Sequence, residues 1–280
     1  MKSKDWLSKA QTQLEQGGFD SAKLESEVLL SFALGVSRHT FLVYPDHEIS
    51  QPEVNTADAF LARRLQWEPL AYITGEREFF GRRFEVGTGV LVPRQETELL
   101  IDLVRDSAAD LAQPHILDIG AGSGCICVTI ALELSHAEVE AVDISPDALA
   151  IARKNCAALG ATVEFHHGDL WPDHLDRFDI IVSNPPYVRT TDDLPRDVAE
   201  FEPGLALFAG EDGLDIYRRL AVESPERLTA GGKLIVEFGD GMANEVAALF
   251  QPEIWQTPQI FQDLSGRDRA MICSLKLNLP

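Results

Sequence analysis

Strand-like and helix-like segments alternate from about residue 95 to the end of the chain, and this alternation limits the possible folds more than any other feature. Runs rich in β-branched and aliphatic residues are separated by stretches in which apolar residues recur at helical spacing. The strand-like runs are residues 115–119, 138–143, 162–166, 178–183, 233–238 and 270–276. Strands separated by helices predict an α/β fold with a doubly wound, mostly parallel sheet.

The first part of the chain has a different pattern. Within residues 1–70 the apolar residues recur at helical spacing and are interrupted by glycine or proline, which predicts a small helical bundle. Within residues 71–94 aromatic and β-branched residues flank Gly81, which predicts a β-hairpin linker. Residues 95–280 then form the α/β domain.

Composition excludes several classes of function. The formal net charge is −21, whereas a protein that grips nucleic acid through phosphates presents a basic face, so we expect no stable nucleic-acid partner. No run reaches the roughly 18 apolar residues of a membrane span, and the first residues lack the apolar stretch of a signal peptide. We therefore expect no membrane association and a cytoplasmic location, and we expect a monomer.

The positions of the cysteines and arginines in the sequence allow two further predictions. The four cysteines contain no Cys-x-x-Cys pair, so we expect buried thiols and no metal site. Positive charge is concentrated between residues 63 and 94, and we interpret this arginine-rich region as a solvated face in preference to a docking surface. Its members are Arg63, Arg64, Arg77, Arg82, Arg83 and Arg94.

A glycine-rich turn joins the first predicted strand of the α/β domain to its helix. It reads Asp118-Ile119-Gly120-Ala121-Gly122-Ser123-Gly124. Its glycines allow a sharp turn and a close approach to a ligand, but their spacing differs from the dinucleotide fingerprint, and no Gly-Lys-Ser/Thr follows. Asp143 ends the next strand about 20 residues later, where an acidic side chain accepts hydrogen bonds from ribose hydroxyls. A tight turn with a helix-capping Asp is the alternative.

The third strand is followed by Gly168-Asp169-Leu170-Trp171. At the neighbouring strand end, the carboxylate of Asp169 would accept a hydrogen bond from an adenine amino group, and Trp171 would pack on an apolar rim. A surface turn with Trp171 anchored in the core is the alternative.

The tetrapeptide Asn184-Pro185-Pro186-Tyr187 follows the fourth strand, 178–183, and therefore lies at the edge of the sheet where ligands bind in such folds. The two prolines keep the backbone extended and supply no N–H groups. The side-chain oxygen of Asn184 and the carbonyl oxygen of Pro185 would accept two hydrogen bonds from a planar –NH2 group, while Tyr187 packs on its flat face. A strand-terminating turn with an Asn cap is the alternative.

These features together resemble the class I S-adenosylmethionine-dependent methyltransferases, and the tetrapeptide narrows the resemblance to amino-group N-methyltransferases. Longer segments resemble the release factor glutamine methyltransferases, the PrmC or HemK family, over essentially the whole chain. These segments are residues 69–81, 202–207, 211–214 and 266–269. Gln95 departs from the pattern, since the family carries a second proline at that position of a segment that borders the cofactor site.

The resemblance implies N5-methylation of the glutamine side-chain amide in the Gly-Gly-Gln motif of class I peptide chain release factors, with S-adenosyl-L-methionine as cofactor. The predicted cofactor site comprises Gly120, Ala121, Gly122, Ser123, Gly124, Asp143, Asp169, Trp171 and Asn184. The predicted substrate site comprises Asn184, Pro185, Pro186 and Tyr187, of which Asn184, Pro185 and Tyr187 are the predicted catalytic residues.

Three other functions are compatible with the same residues. A glutamine N5-methyltransferase of a ribosomal protein would share the whole site. An adenine N6-methyltransferase acting on nucleic acid would use the same amine receptor, but it would flip its base and need phosphate contacts, which the net charge disfavours. A non-catalytic regulator that binds S-adenosylmethionine would not need Asn184 and Tyr187.

Overall fold

The computed structural model describes residues 1–172 and 177–277. Residues 173–176 and 278–280, which belong to the predicted α/β domain 95–280, lie outside the described residues. The chain divides into two compact units. The first comprises Met1–Glu76 and the short segment Leu194–Phe201, and the second comprises Arg77–Asp193 and the residues from Glu202 onward. Within the described ranges, no helix has the length and apolar character needed to cross a membrane.

The first unit is helical, as its apolar spacing predicts. Its helices are α1 (Ser3–Gln16), α2 (Ala22–Leu34), α3 (His39–Val43), α4 (Gln51–Leu65) and α5 (Leu70–Thr74). The buried residues Trp6, Ala10 and Leu14 follow one face of α1, four residues apart. The indole N–H of Trp6 donates to Asp58 Oδ1 on α4 at 2.9 Å, so this large side chain is buried without leaving its polar group unpaired.

Arg64 on α4 corrects one prediction. We interpreted the arginine-rich region as a solvated face, but Arg64 is only 5% exposed. Its guanidinium donates to Glu25 Oε2 at 2.7 Å, lies 4.4 Å from the centre of the Phe19 ring, and donates to Asp197 Oδ2 at 3.5 Å. Elsewhere in the region Arg94 is paired with Glu202. The interpretation is therefore wrong for Arg64, since its guanidinium is buried in the first unit and paired with carboxylates there.

The predicted hairpin is present as β1 (Glu76–Phe79) and β2 (Arg82–Glu85), which form a two-stranded sheet. Gly81 in the turn has φ +71°, a left-handed conformation that glycine adopts at little cost. The strand residues Phe79 and Phe84 are buried, with ring centres 6.1 Å apart in an edge-on arrangement.

The second unit contains a seven-stranded sheet in the order β5-β4-β3-β6-β7-β9-β8. The strands are β3 (His115–Ile119), β4 (Glu138–Asp143), β5 (Glu164–His167), β6 (Phe178–Ser183), β7 (Leu228–Glu237), β8 (Gln259–Gln262) and β9 (Asp268–Ser274). The first five in this order pair in parallel, and β9 is antiparallel to β7 and β8. The prediction of a doubly wound, mostly parallel sheet is confirmed, and chain order reverses between β3 and β6.

Helices accompany both faces of this sheet. They are α6 (Glu98–Ala108), α7 (Cys125–Glu133), α8 (Pro146–Leu159), α10 (Asp215–Glu223) and α11 (Ala243–Ala247), whereas α9 (Arg196–Phe201) belongs to the first unit. Neighbouring strand residues alternate between two cores: Ile116 and Ile180 belong to one, Leu117 and Ile181 to the other. Burial of each such side chain stabilises the fold by about 1.5–3 kcal/mol. All four cysteines are free and buried, as predicted.

Candidate functional site

The glycine-rich turn after β3 is held against the neighbouring strand. The N–H groups of Gly120 and Ala121 both donate to the carbonyl oxygen of Val142 on β4, at 2.9 and 3.1 Å. Gly120 has φ +81°, and a Cβ placed on it would meet nothing within 4 Å, so this position leaves open space above the turn. A Cβ on Gly124 would lie 3.1 Å from Ala152 Cβ, so Gly124 permits close packing of α7 against α8. The turn is thus both anchored and open to a ligand.

Asp143 at the end of β4 organises the same turn. Its carboxylate accepts hydrogen bonds from Gly122 N through Oδ2 and from Ser145 N through Oδ1, each at 2.8 Å. Ser145 in turn caps α8, because its Oγ accepts from Ala148 N at 3.2 Å. An ionised carboxylate has about four acceptor positions, so Asp143 keeps capacity for hydroxyl donors of a bound ribose while it fixes the loop.

Asp118 lies beneath the turn and is fully buried. Its Oδ2 accepts from Cys127 N at 3.1 Å, whereas its Oδ1 has no hydrogen-bond partner within the described part of the chain. Burial raises the pKa of Asp118 to about 7, and the nearby charge of Asp143 acts in the same direction. A group that is partly charged near neutral pH therefore lies under the glycine loop.

The tetrapeptide after β6 lies beside this loop. Ser183 Oγ donates to the carbonyl oxygen of Ile119 at 2.7 Å, so the ends of β3 and β6 are tied together. Asn184 Nδ2 donates to Thr97 Oγ1 at 3.1 Å, which leaves the side-chain oxygen of Asn184 as the acceptor for a ligand. The sequence analysis missed Thr97, which is 2% exposed and lies just before α6, far from Asn184 along the chain.

Tyr187 occupies a slot formed by two glycines. A Cβ on Gly239 would lie 3.1 Å from the Tyr187 ring, and one on Gly213 would lie 2.4 Å from the Tyr187 carbonyl oxygen. The absence of these side chains lets the ring and the backbone pack closely. Burial raises the pKa of Tyr187 to about 12, so its hydroxyl is neutral at physiological pH.

Asp169 and Trp171 are both engaged with α10. The carboxylate of Asp169 accepts from Arg219 Nη1 at 2.8 Å in an exposed ion pair. The indole N–H of Trp171 donates to Glu223 Oε2 at 2.6 Å, and its ring packs against a core cluster. The predicted contact of Asp169 with adenine and the predicted place of Trp171 on an apolar rim of the cofactor site remain predictions.

The ends of β3, β4 and β6 open into one cavity of about 340 Å³, within the range typical of small-molecule sites. Apolar side chains form much of its wall: Val90, Leu91, Ile119, Val142, Leu170 and Phe208. The predicted site residues that border it are Gly120, Ala121, Gly122, Ser123, Asp143, Asp169, Asn184, Pro185 and Pro186. Gly124, Trp171 and Tyr187 are predicted site residues that do not line it.

One wall of the cavity is held in place by Glu202, whose side chain is 2% exposed. It accepts from the backbone N–H of Val92 at 3.1 Å and from Arg94 Nη2 at 2.7 Å. These bonds hold the segment that carries Gln95 in place of the family's second proline. Glu202 is the first residue of the segment 202–207 that resembles the family, and these hydrogen bonds give it a structural role.

The residues that line the cavity fit S-adenosylmethionine. Apolar walls suit its adenine ring, the carboxylate of Asp143 suits the two ribose hydroxyls, and the open backbone at Gly120 and Gly122 permits close approach of a polar chain. The acceptor on Asn184 borders the same cavity, so a bound amine would lie beside the cofactor.

Comparison with known proteins agrees with this assignment. The family model of the PrmC N-terminal domain matches residues 5–75, and that of the methyltransferase small domain matches residues 93–201. The chain is 41% identical to the release factor glutamine methyltransferase of Koribacter versatilis, over 97% of this chain and 98% of that protein. It is 42% identical to the protein of that name from Geobacter sulfurreducens, over 92% of this chain and 91% of that one.

Two solved structures share the fold at low sequence identity. A methyltransferase from Pyrococcus furiosus has a TM-score of 0.51 and 18% identity, covering 70% of this chain and 90% of that one. A 16S rRNA methyltransferase from T. thermophilus, solved with AdoMet and guanosine, also has a TM-score of 0.51 and 18% identity, covering 72% of this chain and 49% of that one.

Proposed function

The chain belongs to the release factor glutamine methyltransferase family, and from this premise we propose that it transfers a methyl group from S-adenosylmethionine to the glutamine amide of the Gly-Gly-Gln motif in class I release factors. The observation that carries the proposal is the hydrogen bonding of the Asn184 side-chain amide. Its –NH2 group is bound to Thr97, so its oxygen remains to accept an N–H bond beside the cofactor cavity. We place this activity in the cytoplasm, in a monomeric enzyme without a stable nucleic-acid or membrane partner.

The reaction requires alignment of a poor nucleophile. The lone pair of an amide nitrogen is delocalised into its carbonyl group, so the –NH2 group must be turned until that lone pair faces the methyl carbon. The side-chain oxygen of Asn184 and the carbonyl oxygen of Pro185 accept the two N–H bonds and impose this alignment. They also favour the positive charge that develops on nitrogen, which stabilises the transition state electrostatically.

The bound cofactor supplies an electrophilic methyl group on a sulfonium. The backbone of residues 120–123 and the carboxylate of Asp143 would hold it, and Asp169 would contact its adenine. Pro186 fixes the backbone of the amide receptor, and Tyr187 would pack against the flat amide. As the new N–C bond forms, the S–CH3 bond breaks and S-adenosylhomocysteine leaves. No strong base is needed, because the methylated amide is then cationic on nitrogen, and this strongly acidic cation gives its proton to water.

The substrate is tested directly by transfer of an isotopically labelled methyl group. The enzyme is incubated with labelled S-adenosylmethionine and, in separate reactions, with release factors, ribosomal proteins or DNA, and the label is located by mass spectrometry. We expect it on the glutamine of the Gly-Gly-Gln motif. Label only on a ribosomal protein or on adenine would replace the proposed substrate, and binding without transfer to any of them would indicate a regulator.

Selection of one glutamine on a large protein requires a second contact surface, and we place it on residues 1–70 and the following hairpin. The first unit exposes three consecutive apolar side chains in and just after α3: Leu42, Val43 and Tyr44 are 68%, 64% and 65% exposed. Contiguous exposed apolar side chains mark interaction sites in soluble proteins.

Combined replacement of these three residues by serine is expected to raise KM for the folded release factor about tenfold or more, because anchor residues carry much of an interface's binding energy. The rate with a short Gly-Gly-Gln peptide should not change, since such a peptide lacks the rest of the factor that would contact this surface. Val222→Ser provides a matched control, because Val222 is 74% exposed on α10 in the second unit. An unchanged KM for the whole factor in the triple variant would contradict the placement.

A further inference from the structure

Glu237 is a buried carboxylic acid that the mechanism above does not use. It is the last residue of β7 and is 1% exposed. Ser183 pairs with Val236 across the sheet, so Asn184 and Glu237 are the next residues along the two neighbouring strands. Hydrogen bonding from Thr97 and Asn184 favours the charged form of Glu237, while its Oε2 has no hydrogen-bond partner among the described residues.

The surroundings of Glu237 bring its titration into the neutral range. Burial is the largest effect and raises the pKa of Glu237 to about 7. Arg269 on β9 favours the charged form, and Glu96 before α6 opposes it. Tyr187, Tyr217 and Cys125 also interact electrostatically with Glu237.

An ionised and a protonated Glu237 favour different orientations of the Asn184 amide. An ionised carboxylate only accepts hydrogen bonds, so it draws the –NH2 group of Asn184 toward itself and Thr97. The amide oxygen is then left to face the ligand. A protonated Glu237 is also a donor, and it can satisfy the amide oxygen instead, which removes the preference for the productive orientation.

We propose that Glu237, in its ionised form and together with Thr97, is a positioning residue that holds the Asn184 amide with its oxygen toward the substrate amine. The substrate in this statement rests on the proposed function, whereas the orientation of Asn184 applies to any amine methylated at this site. The role explains why an acid is buried at a position where its charge is poorly compensated.

The unfolding temperature distinguishes a positioning role of Glu237 in catalysis from a role in holding the fold together. The pKa of Glu237 is raised in the folded protein, so its contribution to stability is fully present below the pKa of the unfolded chain and is lost as the pH rises through about 7. Glu237→Gln removes the ionisation. The unfolding temperature of this variant at pH 8 should therefore equal or exceed that of the wild type, although its activity falls.

The experiment measures the single-turnover rate of methyl transfer at saturating cofactor between pH 6 and 8, so that product release and cofactor affinity do not limit it. We expect the wild-type rate to rise with pH with a midpoint near 7. Glu237→Gln should be about tenfold slower at pH 8, the loss typical of a hydrogen bond to a charged group, and its profile should be flat. Its Kd for S-adenosylmethionine should not change.

Thr97 gives a second, independent test. Thr97→Val should slow transfer because the hydroxyl that accepts from Asn184 is lost, and Thr97→Ser should restore the rate because it returns the hydroxyl. Glu140→Gln is the matched control for loss of a buried acid, since Glu140 is 8% exposed on β4 and pairs with His115 and His166. Its activity profile should follow that of the wild type.

The outcomes separate this inference from the proposed function. Suppose that the wild type methylates a release factor and that Glu237→Gln has the same rate and pH profile. This result would refute the role of Glu237 and leave the proposed function intact. If that variant does not fold, equal rates for Thr97→Val and Thr97→Ser would refute it instead. Absence of wild-type transfer to any release factor would refute the substrate, and the same pH comparison would then be made on the amine that is methylated.

Discussion

Asn184→Ala is expected to lower kcat by about 10²- to 10³-fold, the usual cost of removing one hydrogen-bonding group that stabilises charge in a transition state. The substitution removes the oxygen that we propose accepts from the substrate amide, and it also removes the –NH2 group that donates to Thr97. Binding of S-adenosylmethionine should weaken far less than kcat, because most of the proposed cofactor contacts are those of Asp143 and the glycine loop. Rapid-quench methylation assays and calorimetric cofactor titrations on the purified variant measure the two effects separately.

Two further variants locate the cause of this loss. Asn244→Ala removes an exposed asparagine on α11 and should leave kcat unchanged, which controls for the substitution itself. Asn184→Asp keeps oxygen acceptors but lacks the –NH2 donor and places a second carboxylate beside Glu237, so it should also be slow. Turnover by Asn184→Ala close to that of the wild type would rule out Asn184 as the amide receptor.

Local sequence signals were sufficient for six of the seven strands of the sheet and for the loops that follow β3 and β4, but they missed the edge strand β8 (Gln259–Gln262). The run 115–119 followed by spaced glycines specifies a strand and a turn within one short segment, and Asp143 ends a strand in the same way. Contacts between distant segments leave no such signal. Thr97 contacts Asn184, and Glu202 contacts Val92 and Arg94, across separations of 87, 110 and 108 residues in the sequence. The cavity wall and the support of Asn184 therefore could not be found from spacing.

Burial of charged side chains accounts for the other differences between the predictions from sequence and the structure. Composition treats Arg64 as one more surface charge, yet its place on α4 brings it against Glu25 and the Phe19 ring. Likewise Glu237 ends an apolar strand, where an acid would ordinarily mark the return of the chain to solvent. Its neighbours on β6 and β9 bury it instead. Charged residues at such positions are the ones whose roles require three-dimensional information.

The largest expected effect on cofactor binding is that of Asp143→Ala. Loss of charge-assisted hydrogen bonds to two ribose hydroxyls should raise the Kd for S-adenosylmethionine by about 10²-fold or more, since each such bond contributes about 1.5–3 kcal/mol. The same substitution frees Gly122 N and Ser145 N, so part of the loss would come from a looser loop. Ser145→Ala, which removes only the cap of α8, measures the contribution of that helix end.

A thermodynamic cycle isolates the ribose contact from the loop effect. The Kd for S-adenosylhomocysteine is compared with that for its 2′,3′-dideoxy analogue, in the wild type and in Asp143→Ala, by calorimetry. If the carboxylate binds the hydroxyls, their removal weakens binding to the wild type strongly and binding to the variant little, because the partner is already absent. An equal loss in both proteins would show that Asp143 acts only by holding Gly122 and Ser145. The coupling energy thus decides whether Asp143 recognises the nucleoside or only shapes the loop that does.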